Sequence, residues 1–535
     1  MRVLRHLTRF SVCLAALVAA TSVLHAIRVE IDDSVPNANP RVGFPDNVII
    51  DDYQLERIAQ GSDPLENPTG IFTKFGILND ANQTKTEPDQ NTYVEFENGL
   101  PGSTPGYKYG RRFLFQGHEN SGGQAYITRI NLDVTDPAHR ITLVTPPNAA
   151  GQTGFSSIDG SVWDPFTRTL LFTQENAGTN GVIEVTPGWP PVIRTLEGII
   201  GKGGFEGIHP DADGDLLIAE DVGGTLVNVV QNNTLTPLTA RQPNSFIYRF
   251  HPYDRSNLAA GGVLYALQVW INGSPITFHT NDAVGDTFAA VQVTLHTPGL
   301  THGAMWVKVH DTAGNNTAPF SANALAKTAG ATPFKRPENL IFQPNSDFET
   351  FFFTATGDTD ADAGHQAPLA ARGSWGAIFR VHFDKHGQTG SISAIVRGDA
   401  DHASFDNITM ADRCTLLTAE DRGDGLHGQL NALDSVWAYR VCDKDDDDHG
   451  EGHGNGHDRK DNWTVRRLIA LGRDTLATAE DNEPTGLLVS DGETSIGGLL
   501  DRTIAPRNTR WFVTEQHGKN QVFEIVLAEK HKDKN

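Results

Sequence analysis

A carboxylate recurs at one place in a repeated pattern along this chain. A short apolar run ends in Glu or Asp, and a turn follows. The runs are Phe113-Leu-Phe-Gln-Gly-His-Glu-Asn120, Leu170-Leu-Phe-Thr-Gln-Glu-Asn176, Leu216-Leu-Ile-Ala-Glu-Asp221 and Phe351-Phe-Phe-Thr-Ala-Thr-Gly-Asp358. Thr415-Leu-Leu-Thr-Ala-Glu-Asp421, Thr475-Leu-Ala-Thr-Ala-Glu-Asp481 and Trp511-Phe-Val-Thr-Glu-Gln-His517 complete the set. A single acid at a strand end is ordinarily a solvated turn cap. Six or seven at one repeat position ask for another account. If equivalent strands run the same way, their acids gather at one mouth of the fold. Like charges packed there repel unless they are protonated or hold cations, and clustered carboxylate oxygens suit hard divalent metals.

The elements that must position these acids are short strands. Second strands follow most of the runs after Gly-containing turns, as in Gly181-Val-Ile-Glu-Val185, Ser245-Phe-Ile-Tyr-Arg-Phe250, Trp375-Gly-Ala-Ile-Phe-Arg-Val381 and Gln521-Val-Phe-Glu-Ile-Val526. Strands spaced by turn chemistry, at a period of roughly 35 to 65 residues, predict an all-β fold: a β-propeller of six or seven blades with a few short inserted helices. A β-sandwich array is the competing architecture, but no sandwich signature is present. The propeller is expected over residues 91–528, after an N-terminal extension with the first strands at 27–90. An insertion at about 255–335 interrupts the repeat. Within it Val263–Val269 and Ala289–Leu295 read as strands, and Ser321–Ala329 reads as a helix. Residues 443–461, rich in Asp, His and Gly, read as a solvated, disordered loop.

Charge and cysteine usage narrow the setting. Arg2, Arg5 and Arg9 precede an almost entirely apolar or small stretch from Ser11 to Leu24, so residues 1–26 read as a secretory signal, too short to span a bilayer comfortably. The formal charge of −23 becomes −26 once that segment leaves with its three Arg and no acid. Such a balance argues against a nucleic-acid partner and suits a protein that holds cations. The expectation is a secreted or periplasmic monomer with no stable membrane insertion. Cys414 and Cys442 sit at facing ends of one expected hairpin, which makes a disulfide plausible in an oxidising compartment.

Other motifs are weaker. Asp211-Ala-Asp213-Gly-Asp215 and Asp358-Thr-Asp-Ala-Asp362 alternate acids in the manner of calcium loops, but neither carries the bidentate Glu that completes an EF-hand. The first reads better as an acidic turn. No nucleophile elbow, P-loop or HExxH motif occurs.

Several segments together resemble the PhoX family of secreted alkaline phosphatases. These are Phe205-Glu206-Gly207, Ala219-Glu220-Asp221, Gly262-Val-Leu-Tyr-Ala266, the long stretch Asn323–Asn339 ending in Arg336-Pro-Glu338-Asn, Trp375-Gly-Ala-Ile-Phe-Arg380 and Ser404-Phe-Asp-Asn-Ile408. The resemblance spans roughly residues 90–525, and Asn323–Asn339 is its most specific part. It implies a β-propeller with a centre of calcium and iron ions in the channel. By motif, Glu206, Asp221, Glu338 and Asp406 would be metal ligands, with Arg336 binding phosphate through its guanidinium fork. Glu119 matches the acid of the family's Asn-His-Glu stretch. Glu420 joins this set from the repeat alone. Two departures stand out. The family's iron-ligating Cys has no counterpart between Cys13 and Cys414, and Gly117 replaces the Asn of Asn-His-Glu. A thiolate selects iron, so the expectation here is an all-oxygen calcium site, with iron second.

The resemblance and the acid repeat together predict a secreted, metal-dependent phosphomonoesterase acting on a small phosphoester, with Arg336 and Glu338 as catalytic residues. A non-catalytic, calcium-stabilised binding propeller and a propeller hydrolase of lactonase or phytase type are the alternatives.

Overall fold

The computed structural model describes residues 31, 34–35, 47–79, 81, 83–176, 178–228, 239–358, 364–385, 387–421, 430, 432–442, 464–471, 483–496 and 509–528. The expected signal segment, the acidic loop, the Thr475–Asp481 repeat and residues 359–363 lie outside them.

Six inner strands line a central axis: Glu87–Glu95, Ile158–Asp164, Phe205–Pro210, Pro337–Phe342, Phe405–Asp412 and Pro484–Ser490. Each packs against the next, and the last packs against the first. Outward from each runs an antiparallel sheet whose second strand is one of the apolar repeats, such as Leu216–Glu220 beside Phe205–Pro210. This is a propeller arrangement of mostly strands with a few short helices.

The apolar runs are continuous rather than alternating because both faces of these strands are buried. Leu216 and Ile218 enter one inter-sheet core with Phe205 and Tyr248. Leu217 and Ala219, on the opposite face, enter the next core with Phe353 and Phe379. Thr350–Ala355 and Thr415–Glu420 behave alike, sending Phe352 and Leu416 one way and Phe353 and Leu417 the other. Each fully buried Leu or Phe contributes roughly 2 kcal/mol from removed apolar surface.

Two features depart from a plain ring of separate sheets. Thr301–Asp311 pairs with Gly262–Ile271 on one side and Thr389–Arg397 on the other, which fuses two units into one ten-stranded sheet. The strand Tyr53–Ala59 pairs with Val522–Leu527, so the two ends of the chain complete one sheet and close the circle.

The expected insertion holds its Val263–Val269 strand within Gly262–Ile271 and its helix at Ala322–Ala329, where Ser321 Oγ caps the Ala324 N–H at 3.2 Å. The strand expected at Ala289–Leu295 is instead a short helix, Ala290–Leu295. Its Val-rich alternation suggested a strand, but tertiary packing decides: Gln292 and Leu295 are buried together at helical spacing. Cys414 and Cys442 form a disulfide with Cα atoms 5.0 Å apart, just beyond the paired Thr415 and Arg440.

Candidate metal centre

Every inner strand carries a β-bulge near its start, and the bulge aims the site. Pairing jumps from Phe205↔Glu220 to Ile208↔Ile218, so two residues face one. The same jump occurs between Pro88 and Asn91, Ile158 and Ser161, Pro337 and Leu340, Phe405 and Ile408, and Thr485 and Leu488. A bulge bends the strand and re-aims the extra side chain. The first bulge residue in the six strands is Asp89, Asp159, Glu206, Glu338, Asp406 and Gly486. Five are acids, and all five are buried.

The second tier is the residue at or just past the end of each second strand: Glu119, Glu175, Asp221, Thr356, Asp421 and Gln516. Glu119, Glu175 and Asp421 line the same cavity of about 280 Å³ as the five bulge acids, and Asp221 adjoins it through its triplet with Glu206 and Glu338. The backbone holds this tier to a third one, two residues before each acid. The N–H groups of Glu175, Thr356 and Asp421 donate to the carbonyls of Ser157, Arg336 and Ser404 at 2.9 Å. Those three residues share a left-handed backbone, with φ of 45°, 52° and 55°. Arg336 thus occupies a slot the fold repeats.

The tiers interlock. Ligand-capable oxygens lie within 4.8 Å of one another in three triplets: Asp89–Glu119–Asp159, Asp159–Glu175–Glu206 and Glu206–Asp221–Glu338. Each triplet combines a bulge acid, the strand-end acid of the same unit and the bulge acid of the next unit. At the following interval Thr356 replaces the strand-end acid, and its hydroxyl donates to Glu338 Oε1 at 2.5 Å. There Arg336 enters: Nη2 is 2.7 Å from Asp221 Oδ2 and 3.4 Å from Glu338 Oε1. Further along the inner strands is a second cavity of about 80 Å³, lined by apolar residues such as Ile208, Leu340 and Leu487 together with polar ones such as Asn91, Ser161 and Asn339.

Packing acids this densely shifts their titration. Burial, then the Asp421 charge, pushes Asp89 up to about 7; burial, then the Asp221 charge, does the same for Glu338. Glu119, Asp159, Glu175, Glu206 and Asp406 are all held well above the carboxylate range, first by burial and then by neighbouring carboxylates, Asp221 and Glu338 among them. Burial pulls Arg336 down, but Asp221, Glu338 and Asp421 outweigh it and hold its pKa above the ordinary value.

Of the sequence-expected residues, Glu119, Glu206, Arg336, Glu338 and Asp406 line this cavity, and Asp221 sits against it, grouped with Glu206 and Glu338 and paired with Arg336. Glu420 does not line it. Its Oε1 accepts the Ala403 N–H at 2.9 Å, and the cavity position belongs to the adjacent Asp421. The equivalent Glu220 is likewise turned away, bonded to Tyr248 Oη and Asn323 Nδ2. Asp89, Asp159 and Glu175 were not singled out as ligands. A signal for them exists: Asp159, Glu206 and Asp406 each stand about fifteen residues before a strand-end acid. The two candidate calcium loops are otherwise engaged. Asp211 Oδ1 accepts the N–H groups of Asp213 and Asp215, as in an Asx turn. Both Asp358 oxygens are taken by Arg241 N and Lys335 Nζ.

Comparison with known proteins follows the same lines. A family model described as alkaline phosphatase PhoX matches residues 227–449, a span that holds Arg336, Glu338 and Asp406. The structure of Pseudomonas fluorescens PhoX in complex with vanadate, a transition state analogue, covers 92% of this chain and 97% of that chain, with a TM-score of 0.54 and 14% identity. The chain is similar to the PhoX alkaline phosphatases. No curated protein matches the sequence. The shared fold is a β-propeller, and in this PhoX-like chain the matched span supplies the fourth and fifth bulge acids.

The donor set fits hard cations. All nine tier acids offer oxygen, and Asp89 Oδ1 and Asp221 Oδ1 are buried without a hydrogen-bond partner among the described residues. Carboxylate oxygens in such numbers suit calcium. Among the described lining residues there is no thiolate, the soft ligand that would select iron. His118, of the Gly-His-Glu stretch, is buried between Thr86 and Thr128 hydroxyls, and burial lowers its pKa to about 3, so it is a neutral packing group.

Proposed function

We propose that this chain is an exported, monomeric, metal-dependent phosphoric monoester hydrolase acting on small phosphoesters. The observation that carries the reading is the arc of three carboxylate triplets sharing Asp159 and Glu206, with Arg336 at its end. The similarity to PhoX phosphatases supports it. In this reading Asp89, Glu119, Asp159, Glu175, Glu206, Asp221 and Glu338 hold calcium, with Asp406 beside them. Cations bound there supply Lewis-acid polarisation of phosphoryl oxygens and a nucleophile at neutral pH.

The chain's own groups do the rest. Arg336, kept charged by its carboxylate neighbours, offers a planar fork to two phosphoryl oxygens and offsets charge developing in the transition state. Thr356 fixes one oxygen of Glu338, which leaves the other for a ligand. Burial of the acids lowers the dielectric around them, so electrostatic interactions there are strong. The Cys414–Cys442 disulfide suits the oxidising side of a membrane, and among the described residues no helix is long and apolar enough to cross one.

Elemental analysis of the purified protein, paired with hydrolysis of p-nitrophenyl phosphate on the same sample, tests the reading. Bound calcium with turnover that chelator abolishes, and that Glu338→Ala abolishes with the fold retained, is the expected result. Bound calcium with no phosphoester turned over would make the chain a calcium-stabilised binding propeller instead.

A further inference from the structure

Lys335 and Asp358 form an ion pair that the phosphatase reading does not use. Lys335 Nζ is 2.7 Å from Asp358 Oδ2, with side chains 1% and 0% exposed. Asp358 Oδ1 accepts the Arg241 N–H at 2.7 Å, and the Asp358 N–H donates to the Ser374 carbonyl at 2.9 Å. The strand Thr239–Arg241, the run into Pro337–Phe342 and the turn after Thr350–Ala355 therefore meet at one carboxylate. Neither partner lines the acid cavity.

A pair this buried does little for stability, because an apolar pair of similar volume often serves as well. What it fixes is the neighbouring residue. Arg336 has φ of 52°, a left-handed conformation that costs a non-glycine residue about 1 kcal/mol or more. The surrounding backbone clamps it. Phe334 exchanges hydrogen bonds with Ser245 in both directions, the Lys335 carbonyl accepts from Gly357, and the Arg336 carbonyl accepts from Thr356. Gly357 has no room for a side chain, since a Cβ there would lie 2.6 Å from Gly376 N. From this clamp the Lys335 side chain ends on Asp358, away from the cavity, while Arg336 lines it.

We infer that the Lys335–Asp358 pair is a positioning device for Arg336. The anchored ammonium fixes the rotation of the backbone between residues 335 and 336, and so aims the guanidinium at the phosphoryl group beside Asp221 and Glu338. The inference rests on Arg336 being the phosphate ligand. Losing the anchor releases the left-handed turn and loosens the grip on the oxyanion. The triplets built from Asp89, Glu119, Asp159 and Glu175 stand on other strands and stay in place.

The test uses the calcium-loaded full chain and inorganic phosphate, titrated by calorimetry, so that it does not depend on turnover. The variants are Lys335→Met, Asp358→Asn and the double Lys335→Met/Asp358→Asn, in which the amide oxygen still accepts the Arg241 N–H. Each should weaken phosphate binding by about tenfold or more, with bound calcium per chain unchanged. The single variants should also lower the melting temperature. The double variant buries no charge, so it should recover the melting temperature but not the phosphate affinity. A merely structural pair would recover both, and wild-type phosphate affinity in the double variant would overturn the inference. A wild-type protein that holds calcium yet binds no phosphate would instead overturn the phosphatase reading, and this inference with it.

Discussion

Asp159 and Glu206 come from neighbouring inner strands, yet each contributes an oxygen to two carboxylate triplets, and Glu175 completes the one they share. The sites are therefore linked through common ligands. A substitution at a shared position acts on two of them at once.

Glu206→Gln should lower the bound-cation count more than Glu119→Gln, which touches one triplet, and should cost about 100-fold or more in turnover. Glu420→Gln should leave the count unchanged. It should destabilise the fold by about 1–3 kcal/mol, because the Ala403 N–H loses a charged acceptor. Elemental analysis beside urea unfolding separates the two behaviours.

The metal-free protein should become less stable as pH rises. Asp89 and Glu338 have folded pKa values raised to about 7, above their unfolded values near 4. A carboxyl group raised in this way favours the folded state fully below its unfolded pKa. That contribution is lost as pH climbs through the folded value. Chelated protein should therefore show a falling melting temperature between about pH 4 and pH 7. Added calcium, which favours the ionised carboxylates, should flatten or reverse the slope.

Gly486→Ala probes the one bulge without an acid. Its φ is 57°, and a Cβ would lie 2.4 Å from Asn91 Nδ2 and 2.7 Å from Thr514 Oγ1. Strain and crowding together should cost about 2 kcal/mol in urea unfolding of the calcium-loaded protein. Stability equal to wild type would mean that the inner strand Pro484–Ser490 shifts freely against its neighbours.

The disulfide closes a loop between Cys414 and Cys442, 28 residues apart in sequence. The double variant Cys414→Ser/Cys442→Ser should lose about 3 kcal/mol. Reductant should lower the melting temperature of the wild type and leave that of the variant unchanged.

Much of this was legible in the residues. The second strands stood out as apolar runs because both of their faces are buried, and a strand of that kind announces itself without its partner. A repeat and a resemblance singled out Glu119, Asp221, Glu206, Arg336, Glu338 and Asp406, which the fold brings close together. Asp89 was not singled out, because a bulge is a property of two paired strands and Asp89 lacks the spacing of about fifteen residues to a strand-end acid that marks Asp159. The choice between Glu420 and Asp421 had the same origin. Ala419-Glu-Asp421 offers two acids in a row, and only the register decides which one turns inward. Ala290–Leu295 followed its surroundings rather than its β-branched residues.

The pairing of Tyr53–Ala59 with Val522–Leu527 gives the ring a buckle made from the two ends of the chain. A fragment that lacks Val522–Leu527 cannot fasten it, because Tyr53–Ala59 then has no partner in this sheet. Asp89 and Asp406 flank the unit that holds the buckle, so the arc of acids reaches its final shape only when the belt is done up. The acid cavity is therefore a property of the closed ring, not of any one unit within it.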